Sequence, residues 1–412
     1  MPHTVTIFHN VVWSRHKGEV FSALHRDSAG GAIRYRFIQI AETEYFRLGF
    51  SDVDYSAHRY PMECLYHGCY EDVPVWKLTA RLVAEVLRSR SDLIVLPGYH
   101  RPEYWAMLLA CILTGKRRAV FCDSTGRDRP RRTLTSIPKR VFFGLCQGFF
   151  GFGERTREYL MSLGAPRARI FVPCQAAALP PGYRPEVALA ERIRLREGGA
   201  PTFLYVGRLS PEKGLDTLLD AFAGLHREVP AATLRLVGSG PLDETLRARS
   251  AELGLGDAVQ MVGSLQGEAL SDEYYRAACM VLPSHSEPWG LVVNEAMNHG
   301  CPVIVSDACG CVPELVHQGD TGFAVPPRDA GALQAAMARA LDAFADTPAT
   351  AARCLAVMYG FSPASAAGHI ARGCAAILTG RRQRVASDAT AAPVTPAAPA
   401  GSGAAEPSRS GR

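Results

Sequence analysis

Two glutamates, Glu287 and Glu295, stand with seven residues between them in SHSEPWGLVVNEAMNHGCPVIVSD, residues Ser284 to Asp307 of this 412-residue chain. Charged side chains seldom sit deep in an α/β core unless something pairs with them, so both are solvated or both have work to do. A carboxylate accepts two directed hydrogen bonds, which suits it to gripping vicinal hydroxyls of a sugar or a ribose. Upstream, FLYVGRLSPEKGLDTLLDAF reads as a strand, a loop and a helix, with Arg208 and Lys213 on the loop. A guanidinium and an ammonium converging there suit a diphosphate, Arg as the bidentate partner and Lys as the point charge. Pro288 and Gly290 let the chain turn tightly into a helix that starts near Leu291, so the amides of Gly290, Leu291 and Val292 would point at the same place. Singly, each feature has a plainer explanation: solvated loop cations, a helix-dipole partner at Glu287, a solvated helix face at Glu295. The pairing of the two loops favours a common anion-binding cleft.

Two runs of alternating strand and helix signals surround these motifs. The first contains TVTIFHN, RYRFIQI, SDLIVLPGY, RRAVFCD and GFFGFGE; the second restarts at TFLYVGRL and continues through TLRLVGSG, AVQMVGSL, CMVLPSH, CPVIVSD and TGFAV. Helices such as GLDTLLDAFAGLHREV and GALQAAMARALDAFAD lie between them with apolar faces at i, i+3, i+4 spacing. This pattern predicts an α/β protein of two Rossmann-like, doubly wound parallel-sheet domains facing a central cleft. The expected domains are 1–178 and 200–358, with 179–199 as a Pro/Gly-rich linker, 359–380 as a helix packing back toward the first domain, and 381–412 as a disordered tail rich in Ala, Pro, Ser and Gly.

Bulk properties narrow the classes. The formal net charge of +5, from 45 Lys+Arg and 40 Asp+Glu, is too mild to argue for nucleic acid. The 12 cysteines include no C-x-x-C pair and read as reduced, buried thiols rather than metal ligands. MPHTVTIFHNVVW reads as a first strand rather than a signal peptide, and no apolar run is long enough to cross a bilayer. A cytoplasmic protein is expected.

VGRLSPEKG followed by SEPWGLVVNEAMNHGCPVIVSDACGCVPELV resembles the donor-binding domain of GT-B-fold retaining glycosyltransferases of family GT4, with their E-x7-E motif. The resemblance is close over about residues 200–345. It implies that Arg208 and Lys213 hold the diphosphate of a nucleotide-sugar donor, that Glu287 faces the donor sugar, and that Glu295 faces the ribose. It also implies that Gly263, Ser264 and Leu265 form the loop that meets the base. Cys311 stands where relatives often have one glycine of a Gly-Gly pair. The N-terminal half matches in outline only: NVVWSRHKGEV replaces a glycine-rich loop and offers Gly18 alone, with Arg15, His16 and Lys17 as acceptor-side candidates. Many relatives place a histidine just beyond the fourth strand; here Pro97 aligns with it and His100 follows three residues later as the candidate. Asp123 and Ser124 follow the next strand and are further acceptor-side candidates.

The chemistry so implied is transfer of a sugar, with retention, to a saccharide or lipid-linked acceptor in cell-surface polysaccharide or glycolipid biosynthesis. Fixed cations and helix amides would meet the leaving-group charge, so no cofactor and no metal is expected. Asp52-Val53-Asp54 imitates a metal-binding D-x-D but lies far from the phosphate loops and reads as a surface turn. Arg127, Arg129, Arg131, Arg132, Lys139 and Arg140 precede Phe149, Phe150 and Phe152, a pattern that can attach a protein to the anionic inner face of a membrane. Alternatives are a sugar phosphorylase, a nucleotide-sugar epimerase, or a non-catalytic nucleotide-sugar-binding subunit.

Overall fold

The computed structural model describes residues 2–47, 53–127 and 133–380. A first sheet holds β1 (His3–Val11), β2 (Ile33–Thr43), β3 (Met62–Cys69), β4 (Leu93–Leu96), β5 (Arg117–Cys122), β6 (Gly148–Gly151) and β7 (Ile170–Phe171), in the order β3-β2-β1-β4-β5-β6-β7. A second holds β8 (Thr202–Val206), β9 (Thr233–Val237), β10 (Val259–Gly263), β11 (Cys279–Leu282), β12 (Val303–Ser306) and β13 (Gly322–Val325), in the order β10-β9-β8-β11-β12-β13. Every pairing is parallel. All four residues of β4, β11 and β12 are buried, as strands covered by helices on both faces must be.

The helices are α1 (Arg15–Asp27), α2 (Val75–Arg88), α3 (Pro102–Leu113), α4 (Thr133–Gly144), α5 (Glu154–Ser162), α6 (Pro185–Arg196) and α7 (Leu215–Glu228). They continue with α8 (Asp243–Glu252), α9 (Gly267–Arg276), α10 (Leu291–Asn298), α11 (Val312–Leu315), α12 (Ala330–Ala343), α13 (Thr347–Met358) and α14 (Pro363–Thr379). Strand order reverses between β1 and β4 in the first sheet and between β8 and β11 in the second. Ligands of open parallel sheets bind beyond the carboxyl ends of strands at such reversals. The loops after β1, β4, β8 and β11 are the ones that carry the candidate residues.

Three features depart from the sequence reading. Strands β3 and β7 were not expected: β3 is a half-exposed edge strand without clean alternation, and β7 is two residues long. The expected linker 179–199 contains α6, which packs on α9 and α13 of the second domain. Its Arg192 is buried and donates from Nη1 to the carbonyls of Tyr274, Tyr275 and Ala277 at 2.9, 2.8 and 2.6 Å. Those are unpaired acceptors at the end of α9, where a cation is favoured. In the third departure, Arg15, His16 and Lys17 form the first turn of α1 rather than an open basic loop. Helix α14 lies on α1, β6 and β7, and Ile370, Cys374 and Ile377 join the core under the first sheet. Among the described residues no helix is long and apolar enough to cross a membrane. The expected tail, 381–412, lies outside the described residues, as do Asp52, Arg129, Arg131 and Arg132.

Candidate functional site

The second sheet builds one wall of the cleft. Gly207 follows β8 with φ +151°, and a Cβ on Gly238, φ +138°, would strike the Gly207 carbonyl, so the loops after β8 and β9 can meet only through glycines. Tyr205 anchors the turn by donating its hydroxyl to the Arg208 carbonyl at 2.7 Å. Arg208 then pairs with Glu212 at 3.2 Å, and Lys213 ends the loop with its ammonium 2.5 Å from a Glu287 carboxylate oxygen. The Lys213 and Glu287 side chains keep only 16% of their surface exposed. The two loops singled out by sequence therefore meet in an ion pair.

Glu287 is held by the loop after β12. Gly310 donates its amide to the Glu287 carbonyl at 2.9 Å and Cys311 to the Trp289 carbonyl at 3.1 Å; a Cβ on Gly310 would collide with the Pro288 carbonyl. Cys311 is fully buried, its sulfur 3.6 Å from where a Cβ at Gly290 would lie, so the sulfur fills space beside the turn and leaves the loop closely seated. Trp289 is buried and donates Nε1 to Asn294 Oδ1 at 2.7 Å, which locks the turn to the first coils of α10. Gly290, with φ +97°, caps that helix, and Gly290, Leu291 and Val292 line the cavity with the helix's free first amides.

Two adjoining cavities result. One, of about 500 Å³, contains Arg208, Lys213, Glu287 and the α10 N-terminus; the other, of about 740 Å³, contains Glu295, Tyr274, Ser264 and Leu265. They share Trp13, His16, Gly207, Arg208 and Leu291. Glu295 accepts a hydrogen bond from the Tyr274 hydroxyl at 3.0 Å, and burial pushes its carboxyl up to about 7. Tyr274 stacks on His299, whose ring bonds the Glu295 carbonyl and the Ser271 hydroxyl at 2.7 and 3.0 Å. Gly263 does not line the cavity; its carbonyl receives the Gly238 amide at 2.8 Å and so supports the loop that does.

The first sheet builds the opposite wall. His100 and Asp123 line the smaller cavity with Pro97, and burial lowers the His100 pKa. Ser124 instead bonds the Tyr99 hydroxyl at 2.8 Å. Arg15 is 3.0 Å from Asp54, which also caps the following turn through Ser56, so this member of the D-x-D sequence is spent on structure. His16 borders both cavities. Lys17 reaches the cavity but is 4% exposed, 3.3 Å from the Cys174 carbonyl and about 5 Å from the Phe121 and Phe152 rings; burial lowers its pKa to about 8. Among the described residues no group of three or more His, Cys, Asp or Glu is placed to hold a metal ion.

Sequence reasoning missed Tyr274, His9, Asn10 and Glu44 on the cavity walls, since none belongs to a local motif. It also missed the clasp between the domains. Arg155 of α5 donates to the Asp307 and Cys309 carbonyls at 2.6 and 2.5 Å and pairs with the Asp307 carboxylate, which also pairs with Arg127. The Glu154 amide bonds Glu314, whose carboxyl is pushed up to about 7 by burial.

A family model described as glycosyl transferases group 1 matches residues 189–348. The chain is 38% identical over 278 residues to the sulfoquinovosyl transferase SQD2 of Arabidopsis thaliana, covering 63% of this chain and 52% of that protein. It is 33% identical over 269 residues to the exopolysaccharide phosphotransferase SCO2592 of Streptomyces coelicolor, covering 65% of this chain and 27% of that protein. The match thus spans about half or less of these curated relatives. Anabaena HepE, solved in complex with UDP, superposes with a TM-score of 0.67 over 91% of this chain and 100% of that one, at 18% identity. The chain accordingly has the GT-B architecture, and its C-terminal domain belongs to the group 1 glycosyl transferases.

Proposed function

We propose that the protein is a retaining, GT4-type hexosyltransferase that moves a sugar from a nucleoside-diphosphate-sugar to a saccharide or lipid-linked acceptor in cell-surface polysaccharide or glycolipid synthesis. The observation that carries this reading is the Lys213–Glu287 pair beside Arg208 and the α10 N-terminus, with Glu295 in the adjoining cavity. Fixed cations and helix amides stabilise charge where it develops, on the departing diphosphate. Glu287, held against Lys213, is placed for donor-sugar hydroxyls, and Glu295 for the ribose. Under this proposal the protein's own cations meet the leaving group and no divalent metal is needed. HepE was solved with UDP, which makes uridine nucleotides the first donors to try. The test incubates the protein with UDP-, GDP- and ADP-sugars, with and without membrane extract and with and without a chelator, and measures nucleoside diphosphate release. Release stimulated by extract and preserved under chelation supports the reading. Silence with every donor would favour a binding subunit.

We also propose a cytoplasmic location with peripheral contact at the inner face of a membrane, made by the exposed apolar side chains of α3 and α4 rather than by Arg127, Lys139, Phe149 and Phe150. Arg127 is engaged with Asp307, Lys139 with the Tyr159 hydroxyl at 2.9 Å, and Phe149 and Phe150 are buried in β6. The outer face of α3 and α4 is the better surface. Leu109 and Leu113 are 55% and 76% exposed on α3, and Ile137 and Val141 are 53% and 49% exposed on α4, each pair at i, i+4. Trp105 and Phe142 join the two helices at 5.1 Å between rings; Arg117, the first residue of β5, and Arg140, on α4 with one guanidinium nitrogen 3.3 Å from the Ser162 carbonyl, are both exposed. Apolar side chains flanked by arginines suit an anionic bilayer surface. Leu113→Asp with Val141→Asp should weaken binding to phosphatidylglycerol vesicles by at least about ten-fold, since each loses about 1 kcal/mol of transfer energy. Unchanged sedimentation with vesicles would refute the surface.

A further inference from the structure

Four side chains beneath the N-terminal wall form a chain of hydrogen bonds that ends in the smaller cavity. His58 Nε2 lies 2.7 Å from the Val12 carbonyl, His58 Nδ1 lies 2.7 Å from the Tyr60 hydroxyl, Gln39 Nε2 lies 2.9 Å from that hydroxyl, and Gln39 Oε1 lies 3.1 Å from His9 Nδ1. Gln39 is fully buried, Tyr60 and His58 nearly so, and His9 lines the cavity.

Only one assignment of protons satisfies this chain. A carbonyl can only accept, so the proton of the neutral His58 ring is on Nε2, and Nδ1 is its acceptor. The Tyr60 hydroxyl therefore donates to His58 and accepts from the Gln39 amide nitrogen. Gln39 must then present its oxygen to His9, so His9 Nδ1 carries the proton. The Val11 carbonyl, 3.2 Å from the same nitrogen, demands the same tautomer. Burial and the neighbouring Lys17 hold the ring neutral, with its pKa pushed down to about 3. An edge-on contact with Phe21, 5.7 Å between centroids, fixes its plane. His9 Nε2 is left as a bare lone pair with no hydrogen-bond partner among the described residues. Gly18 belongs to the same device, because a Cβ there would press on His58 Nε2 at 3.0 Å.

We infer that His9 Nε2 is an acceptor-binding atom: it accepts a hydrogen bond from the substrate hydroxyl that attacks the sugar, and Gln39, Tyr60 and His58 are the positioning residues that keep its lone pair available. The inference rests on the transferase reading for its substrate, but the proton assignment does not. A neutral imidazole offers nothing to a diphosphate and can orient a hydroxyl, which suits the wall opposite Lys213. A polar chain satisfied at every link fixes one geometry, and a break anywhere along it releases the rest.

Long-range proton–nitrogen spectra of the wild-type protein labelled with ¹⁵N-histidine, at neutral pH with UDP present, should show His9 protonated on Nδ1 alone, with assignment by loss of the signal in His9→Gln. A proton on Nε2, or an imidazolium, would overturn the inference whether or not the protein transfers sugar. In the transfer assay with membrane extract as acceptor source, His9→Gln and Tyr60→Phe should each raise the extract concentration for half-maximal rate by about five- to fifty-fold, leaving the UDP dissociation constant unchanged. Equal loss of UDP binding, or no change in extract dependence, would reduce the chain to a structural role.

Discussion

Lys213→Ala is expected to lower turnover by about 10²- to 10³-fold, the usual cost of one preorganised charge donor at a developing anion, while nucleotide affinity falls far less. The asymmetry follows from where the charge peaks. In the bound donor the diphosphate shares its charge with the sugar ester bond, and in the transition state the departing oxygen carries more of it, so an ammonium aimed there gains most at the barrier. Lys213 is held 2.5 Å from Glu287 with little exposure, on the wall of the smaller cavity. That preorganisation means no side chain must be gathered at the moment of reaction. Lys213→Arg keeps the charge but widens its head, and should recover only part of the rate. Steady-state kinetics with the best donor, together with nucleotide titration, check this. A Lys213→Ala enzyme with unchanged kcat and a raised KM would mean uniform binding rather than leaving-group stabilisation.

The grouping of Arg208, Lys213 and Glu287 on one wall, with Glu295 in the adjoining cavity, was legible because these residues are local in sequence. Arg208 and Lys213 share one loop, and Glu287 and Glu295 share one turn and helix, so spacing alone states their geometry. The helix start at Leu291 and the stop near Gly300, whose φ is +68°, follow from glycine and proline placement. The opposite wall has no such shorthand. His9, Gln39 and the pair His58 and Tyr60 come from three separate segments and read singly as ordinary strand and loop residues. Arg155 reaches Asp307 across 152 positions, and Arg15 takes Asp54 from a sequence that imitates a metal site. Lys17 reads as an acceptor-side cation because a lysine is seldom fully covered; two aromatic rings and a carbonyl cover it here. In the fold, the internal strands declared themselves by continuous apolar runs. Edge strand β3 and the two residues of β7 did not, because half-covered and very short strands lack that pattern.

Glu295→Gln should move stability and binding in opposite directions. In the folded protein burial raises the Glu295 carboxyl from its ordinary 4.5 to about 7, so between these values the folded state holds a proton that the unfolded chain has released. Stability from this group is therefore complete below about pH 4.5 and is lost as pH rises toward 7. Glutamine mimics the protonated acid at every pH, so its advantage should open across that window and level off above it. The full shift overstates the gain, because the carboxyl borders an open cavity; about 1–2 kcal/mol is the expected plateau. Thermal melts of both proteins at pH 5 and pH 8 read the difference, and a variant less stable at pH 8 would contradict the burial argument. Under the proposed function, nucleotide binding should go the other way, weakening by about 10- to 100-fold, because an amide oxygen would replace the carboxylate assigned to both ribose hydroxyls. In the wild type, binding at pH 7 should release a proton as the diol draws Glu295 into its ionised form, so calorimetry in buffers of different ionisation enthalpy gives the sign directly. Proton uptake would mean that the acid, not the carboxylate, meets the ligand. A destabilised residue that becomes favourable only when a diol arrives is one kept for binding rather than for the fold.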